Sequence, residues 1–241
     1  MRIWLSGEGP SDLGAMRPAL AGHEFLPGPM AVMVDHVTQA RVGFSFLDTH
    51  QAGGDCVRYV SNTELAQAGK QGPLLLPGVR FGKHNSFFTK NSQVLALMAK
   101  RDTATSGQPT VAVLFRDGDG TQSMPKSQWE EKFDSIKRGF KLVDYACGVP
   151  MVPRPKSEAW LLCAIRPPAY EHCAHLEEAS GNDNSPNDLK SQLAALMGLA
   201  GAQAQAQWVL DGHVDIGRID MPSFNAFRSE LDRALTEALA A

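Results

Sequence analysis

The sequence predicts an α/β protein built on a parallel sheet with helices packed against it. Residues 111–115 form a continuous apolar run, which is typical of a strand buried on both faces of a parallel sheet. Residues 2–6, 55–60 and 149–152 read as further short strands. Residues 85–101 and 127–140 have the apolar spacing of helices that pack on such a sheet.

Length, composition and charge limit the class of protein to which this chain can belong. The chain has 241 residues, of which 43% are hydrophobic and 20% charged, so we expect one large globular domain or one domain with an appendage. The net charge of −3 creates no general basic field, so any nucleic-acid binding requires a local patch and metal ions. Four cysteines without paired spacing predict a reduced, cytoplasmic protein. No apolar stretch approaches the roughly 20 residues that span a bilayer, so we expect no membrane partner.

Several segments carry weaker local signals. The loop after the first strand contains Ser11 and Asp12, either of which could cap a first helix. Residues 31–51 fit a helix or paired strands, and residues 41–47 alternate as a strand does. Residues 102–109 read as a polar linker. Pro150 confines the strand at 149–152 to a sheet edge or a strand start, and Ser157 is the expected cap of the next helix.

Four carboxylates follow predicted strands: Glu8, Asp117, Asp119 and Glu158. The carboxyl ends of parallel strands lie on one edge of a sheet, where ligands bind. A close pair of these charges, at about 4 Å and an effective dielectric near 20, costs about 4 kcal/mol. Such a cluster therefore requires protonation or a cation, and hard oxygen donors suit Mg²⁺ or Mn²⁺. The simpler interpretations are polar turns at Glu8 and at the two aspartates, and a favourable helix-dipole interaction at Glu158.

These motifs resemble the Toprim family, the fold shared by topoisomerases, primases and OLD-type nucleases. That family has a Glu after its first strand and an Asp-x-Asp after a later one, and Glu8 and Asp117-Gly118-Asp119 match the two motifs. Residues 153–161 look like the third block of a small, stand-alone Toprim-like family of largely unknown function, some of whose relatives occur in phage defence. Residues 187–190 and 223–227 look like that family's tail. The resemblance covers about residues 1–165, and the rest more weakly.

The resemblance implies a Toprim-like Rossmannoid core over residues 1–165. Glu8 and Asp117 are about 100 residues apart, which is longer than a minimal Toprim core, so we expect an insertion between about 25 and 83. Residues 166–241 would form a mostly helical C-terminal extension packed on the core. The implied activity is that of a metal-dependent hydrolase, a nuclease that cleaves DNA rather than RNA. It would act in phage defence or repair, with a protein partner in a defence system.

The resemblance also implies roles for individual residues. Asp117 and Asp119 would hold Mg²⁺ or Mn²⁺, and Glu158 would complete a second metal site. Glu8 would either bind metal or act as the general acid or base. Two metals would activate water and stabilise the leaving oxygen. Either Lys156 or Arg154 could stabilise phosphate charge.

Two other functional classes remain open. Residues 117–121 also resemble the motif of haloacid-dehalogenase-like phosphatases, in which Asp117 would be the nucleophile and Asp119 the acid or base. That interpretation leaves Glu8 without a role and predicts that it lies elsewhere. The other alternative is a non-catalytic Toprim-like binding subunit, because a fold does not prove an activity. A nuclease predicts that the four carboxylates converge on one pocket.

Overall fold

A computed structural model of the chain describes residues 1–19, 22–70, 83–118, 125–198 and 201–241. Its centre is a four-stranded parallel sheet made of β1 (Arg2–Ser6), β4 (Val57–Val60), β5 (Thr110–Phe115) and β6 (Gly148–Met151). The strands lie in the order β4-β1-β5-β6. Ile3 of β1 is aligned with Val57 of β4 on one side and with Val111 of β5 on the other. The predicted α/β fold with a parallel sheet flanked by helices is confirmed.

Helices cover both faces of this sheet, because side chains along each strand alternate between two apolar layers. Ile3, Leu5 and Val113 belong to one layer and Trp4 and Leu114 to the other. The first layer is closed by α1 (Pro29–Val42), α6 (Ser157–Ile165) and α9 (Pro222–Ala240). The second is closed by α3 (Asn62–Ala68), α4 (Lys83–Ser106) and α5 (Lys126–Lys141). All six residues of β5 are buried, as the apolar run predicted.

An antiparallel hairpin of β2 (Gly14–Ala19) and β3 (Gly22–Pro27) follows the first loop. It takes the place of the helix that Ser11 or Asp12 was expected to cap. Gly14 has a φ of +106°, and a Cβ atom there would lie 2.1 Å from the Leu26 carbonyl oxygen. The close approach of the two strands at the open end of the hairpin, where Gly14 is aligned with Pro27, therefore requires glycine.

Two local predictions are wrong. Residues 41–47 are not a strand, because α1 continues to Val42 and ends at Gly43, whose φ is +86°. A second helix, α2 (Phe46–Gln51), then begins after Ser45, whose side chain accepts a hydrogen bond from the backbone N of Asp48. Residues 102–109 are not a linker throughout, since α4 continues to Ser106.

The segment between 25 and 83, expected as an insertion, contributes β4 to the central sheet as well as α1, α2 and α3. Residues 166–241 contain α7 (Leu189–Met197), α8 (Ala202–Leu210), α9 and two short 3-10 helices, Cys173–Glu178 and Ile216–Arg218. This tail shares the core of the sheet. Trp160 stacks on Phe227 with ring centroids 5.7 Å apart, and its Nε1 donates a hydrogen bond to Ser223 Oγ at 2.9 Å.

Cys163 and Cys173 form a disulfide, so the prediction that all four cysteines are reduced is wrong. The chain turns back after α6 and brings the two Cα atoms to 5.2 Å, a proximity that the spacing of the residues does not reveal. The cytoplasmic location remains a prediction that has lost this support. Within the described ranges, no helix is long and apolar enough to cross a membrane.

Candidate functional site

The topology creates a crevice between β1 and β5. From β1 the chain passes to β4 on one side, and it then returns to β5 and β6 on the other. In open α/β sheets such a reversal is where ligands bind, outside the carboxyl ends of the strands. Glu8 follows β1 and Asp117 follows β5. The two predicted carboxylates therefore belong to the loops on either side of the switch point.

Glu8 lies beside the residue that precedes Asp117. Ser6 is aligned with Leu114 in the sheet, and two residues further on Glu8 Oε1 lies 3.2 Å from Arg116 Nε. The contact is an ion pair without hydrogen-bond geometry. The preceding residue, Gly7, packs against Leu13 and Phe115, and a Cβ atom there would lie 2.6 Å from Leu13 Cδ1 and 3.1 Å from Phe115 Cβ.

Arg116 connects the ends of three strands while being fully buried. Its Nη1 donates a hydrogen bond to the Phe115 carbonyl oxygen at 2.8 Å, and its Nη2 to Asn62 Oδ1, just after β4, at 3.0 Å. Burial lowers the pKa of Arg116, and the nearby charge of Glu8 raises it. The charge of Arg116 therefore attracts the Glu8 carboxylate to the rim. The sequence reading passed over this residue, although a cation between an apolar strand and an aspartate is a detectable signal.

Asp117 is held from two directions. The backbone N of Ser157, the first residue of α6, donates a hydrogen bond to Asp117 Oδ1 at 3.0 Å. Lys132 Nζ, from α5, donates to the carbonyl oxygens of Asp117 at 2.7 Å and Gly118 at 2.8 Å. The backbone and the carboxylate of Asp117 are thus both fixed. Asp119, the second aspartate of the motif, lies outside the described residues.

Ser157 also joins two further carboxylates. Its buried Oγ lies 2.5 Å from Asp12 Oδ1 and 3.4 Å from Glu158 Oε2. A hydroxyl donates one hydrogen at a time, and the shorter contact assigns it to Asp12. Asp12, Asp117 and Glu158 therefore converge on one serine. Asp12 was interpreted only as a helix cap, and the signal that could have found it is its place four residues after Glu8 in the same loop.

The electrostatics of Glu158 are unfavourable for an ionised side chain. Burial raises the pKa of its carboxyl group, and the nearby charge of Asp12 raises it further. Its backbone hydrogen bond and two lysines, Lys156 and Lys190, act in the opposite direction. A cation close to Glu158 and Asp12 would relieve this penalty.

Lys156, predicted as a catalytic cation, is the N-terminal cap residue of α6, and its Nζ lies 2.6 Å from Asp183 Oδ1. Arg154 Nη1 lies 3.7 Å from Glu177 Oε2. Both cations are therefore engaged by carboxylates, and a phosphate would compete with these partners. Ser157, expected as the cap, is instead the first helical residue.

The donors fit a hard divalent cation by type. Glu8, Asp12, Asp117 and Glu158 offer carboxylate oxygens, which Mg²⁺ and Mn²⁺ prefer. In the part of the chain that the structure describes, no three His, Cys, Asp or Glu side chains are arranged to hold a metal ion. The fit therefore concerns donor chemistry and not a closed coordination shell.

A large open groove of about 720 Å³ lies away from this rim, between α5 and α9 near the start of β6. Three of its charged side chains are engaged with one another, because Glu230 pairs with Lys137 at 2.5 Å and with Arg233 at 2.9 Å. Arg233 also donates hydrogen bonds to the carbonyl oxygens of Ala146 and Gly148. These contacts tie α9 to the edge of the sheet, so the groove offers no comparable chemistry.

Protein-family models, curated proteins and solved structures were each compared with the chain, and none matches it. The function must therefore be inferred from the arrangement of its own side chains.

Proposed function

We propose that this protein is a Toprim-like nuclease, a hydrolase that cleaves phosphodiester bonds of nucleic acid with the help of Mg²⁺ or Mn²⁺. The observation that carries the proposal is the proximity of Glu8 to the Asp117 loop across the β1/β5 switch point, through the 3.2 Å ion pair with Arg116. Glu158 joins the same rim through Ser157. The resemblance to Toprim motifs points to the same chemistry.

The proposed roles follow from the way each side chain is held. Asp117, whose backbone and carboxylate are both fixed, presents an oxygen donor that need not reorganise during reaction. Asp12 and Glu158 supply further donors on the Ser157 side, and Asp119 adds one by its place in the motif. A bound divalent cation would lower the pKa of its water and neutralise developing phosphate charge.

Glu8 is proposed as the general acid or base. Its side chain is 43% exposed, so it can reach a water or a leaving oxygen, while Arg116 limits its orientation. Positioned acid–base groups of this kind contribute about 10²–10⁴-fold to rate. Lys156 is proposed to contact substrate phosphate by leaving Asp183, whose side chain is mostly exposed.

The substrate is proposed to be DNA rather than RNA. A chain of net charge −3 does not attract a polyanion as a whole, so metal at the acidic rim would be needed to bring phosphate there. A role in phage defence or repair, with a protein partner and in the cytoplasm, is part of the proposal and derives from the family resemblance.

The position of Glu8 favours a nuclease over a phosphatase. A haloacid-dehalogenase-like mechanism assigns Glu8 no role, yet Glu8 lies beside Arg116, the residue before Asp117. A non-catalytic subunit would hold the same side chains in the same places, so only a measurement of activity separates this alternative from a nuclease.

The proposal is tested by cleavage of plasmid and single-stranded DNA in Mg²⁺ or Mn²⁺. We expect wild-type cleavage that EDTA abolishes, loss of cleavage in Asp117→Asn, and a loss of about 10²–10⁴-fold in Glu8→Gln. Asp134→Asn is the matched control, since Asp134 is exposed on α5. Cleavage that survives Asp117→Asn would reject this site. Phosphate release from a monoester without DNA cleavage would favour the phosphatase, and metal binding without either activity would favour the subunit.

A further inference from the structure

An exposed aromatic ring lies next to the candidate site. Phe87, in the first turns of α4, is 51% exposed. The guanidinium carbon of Arg116 lies 5.9 Å from the centroid of its ring, and the same guanidinium pairs with Glu8. About half of this apolar side chain therefore faces solvent, and Arg116 contacts both this ring and Glu8, the proposed acid or base.

A second ring extends the aromatic surface toward Asp117. Phe88 packs edge-on against Phe87, with centroids 5.5 Å apart and an interplanar angle of 76°. Lys132 Nζ lies 4.9 Å from the Phe88 centroid and also donates a hydrogen bond to the Asp117 carbonyl oxygen. The two rings thus border both halves of the proposed site. Lys90, one turn after Phe87 on the helix, is exposed and adds a positive charge beside the rings.

Exposure alone does not mark a site, because single apolar side chains are common on protein surfaces. Phe44 provides the comparison within this chain. It is 47% exposed and also contacts another ring, that of Phe46, at 4.8 Å. However, α1 begins at the rim, where Met30 N donates to the Asp12 carbonyl oxygen, and its 14 residues carry the chain about 21 Å away before Phe44. Phe87 and Phe44 are therefore about equally exposed, and they differ in that Phe87 lies next to the candidate site.

We propose that Phe87 is a stacking platform for an unpaired base, so that the substrate is single-stranded nucleic acid or an unpaired region of it. The inference rests on the proposed nuclease function and specifies its substrate class. A flat ring with an open face stacks on any base without sequence preference. In a duplex the bases stack on one another, so they do not offer a free face to Phe87. A base stacked there would bring its flanking phosphates to the acidic rim and to Lys90.

The test is binding of fluorescein-labelled oligothymidine to the full-length protein, measured by fluorescence anisotropy in Ca²⁺, and separately of a labelled duplex. Phe87→Ala should weaken binding of the single strand by about fivefold or more and leave duplex binding unchanged. Phe87→Trp should keep single-strand binding, because it retains an aromatic face. Phe44→Ala is the matched control and should bind like wild type.

Equal affinity of wild type and Phe87→Ala for oligothymidine would overturn the platform, as would an equal loss for both ligands. A fall in thermal stability as large as that of a buried phenylalanine would also overturn it, since the ring would then be covered. Cleavage in Mn²⁺ is measured in parallel. Wild type that binds through Phe87 but does not cleave contradicts the nuclease and supports the platform, whereas cleavage with unchanged binding in Phe87→Ala contradicts the platform alone.

Discussion

Neutralising Glu8 should destabilise the fold, although Glu8 lies partly exposed at a proposed active site. In Glu8→Gln the fully buried Arg116 loses the carboxylate that lies 3.2 Å from its Nε. At that distance the attraction is about 5 kcal/mol at an effective dielectric of 20 and about 1.3 kcal/mol in water. Because Glu8 is partly solvated, the net loss should fall toward the lower value. We expect a decrease in the free energy of unfolding of roughly 1–3 kcal/mol.

The assay is urea unfolding at neutral pH in EDTA, so that no metal bound at the rim contributes. In a separate thermal unfolding experiment, a loss of this size should lower Tm by roughly 2–12 °C for a chain of this length. Glu64→Gln is the matched control. Glu64 is 36% exposed and pairs at 2.5 Å with Arg58, which is 47% exposed. Because both partners of that pair are solvated, its removal should cost less than about 1 kcal/mol.

The decisive comparison is between the two glutamine variants. If Glu8→Gln is as stable as wild type, or loses no more than Glu64→Gln, then the buried guanidinium does not depend on Glu8. That result would refute the inference that Arg116 holds Glu8 at the rim, and with it the orientation proposed for the acid or base.

Three further predictions concern the neighbouring residues. Glu158→Gln should raise the free energy of unfolding in metal-free buffer, because burial and the charge of Asp12 disfavour the ionised carboxylate; a loss of stability at neutral pH would contradict this. Burial and the charge of Asp12 raise the pKa of Glu158 in the folded protein above its ordinary value of 4.5. The energetic penalty of ionising Glu158 is therefore absent well below pH 4.5 and grows as the pH rises above it. Urea unfolding over that pH range should show wild type becoming less stable than the variant. Lys132→Met should lower the cleavage rate by about 10–100-fold, because the two hydrogen bonds to the carbonyl oxygens of Asp117 and Gly118 are lost. Lys132→Arg should retain part of the wild-type rate. A wild-type rate in Lys132→Met would show that the loop does not need these hydrogen bonds. Ser157→Ala should weaken Mn²⁺ binding, measured by calorimetry, by a similar factor, because Asp12 loses its hydroxyl donor. Ser157→Thr should restore the Mn²⁺ affinity. Equal Mn²⁺ affinities of wild type and Ser157→Ala would show that Ser157 has no positioning role.

Much of the fold could be predicted from the sequence, because its signals are local. A buried strand such as β5 needs an unbroken apolar run, and a helix such as α5 needs apolar residues at its own period. Pro150 likewise predicted either a sheet edge or a strand start, and β6 is one of the two edge strands of the sheet. The local signals failed where two of them competed, as at residues 41–47, where Gly43 ends one helix and Ser45 caps the next.

Local sequence signals predicted only part of the candidate site. Local composition showed which carboxylates follow strands, because it marks where a strand ends. The Toprim assignment, the metal and the activity stay predictions. The pairing of Glu8 with Arg116, and the sharing of Ser157 by Asp12 and Glu158, could be seen only in the folded chain.

The physical reason is the distance along the chain. Asp12 and Ser157 are 145 positions apart, and nothing in the sequence around either residue indicates contact with the other. Their contact exists because the sheet order brings the loop after β1 and the start of α6 to the same rim. Local signals thus predicted the four strands of the central sheet and the carboxylates that follow them, while the order of the strands sets which of those carboxylates meet.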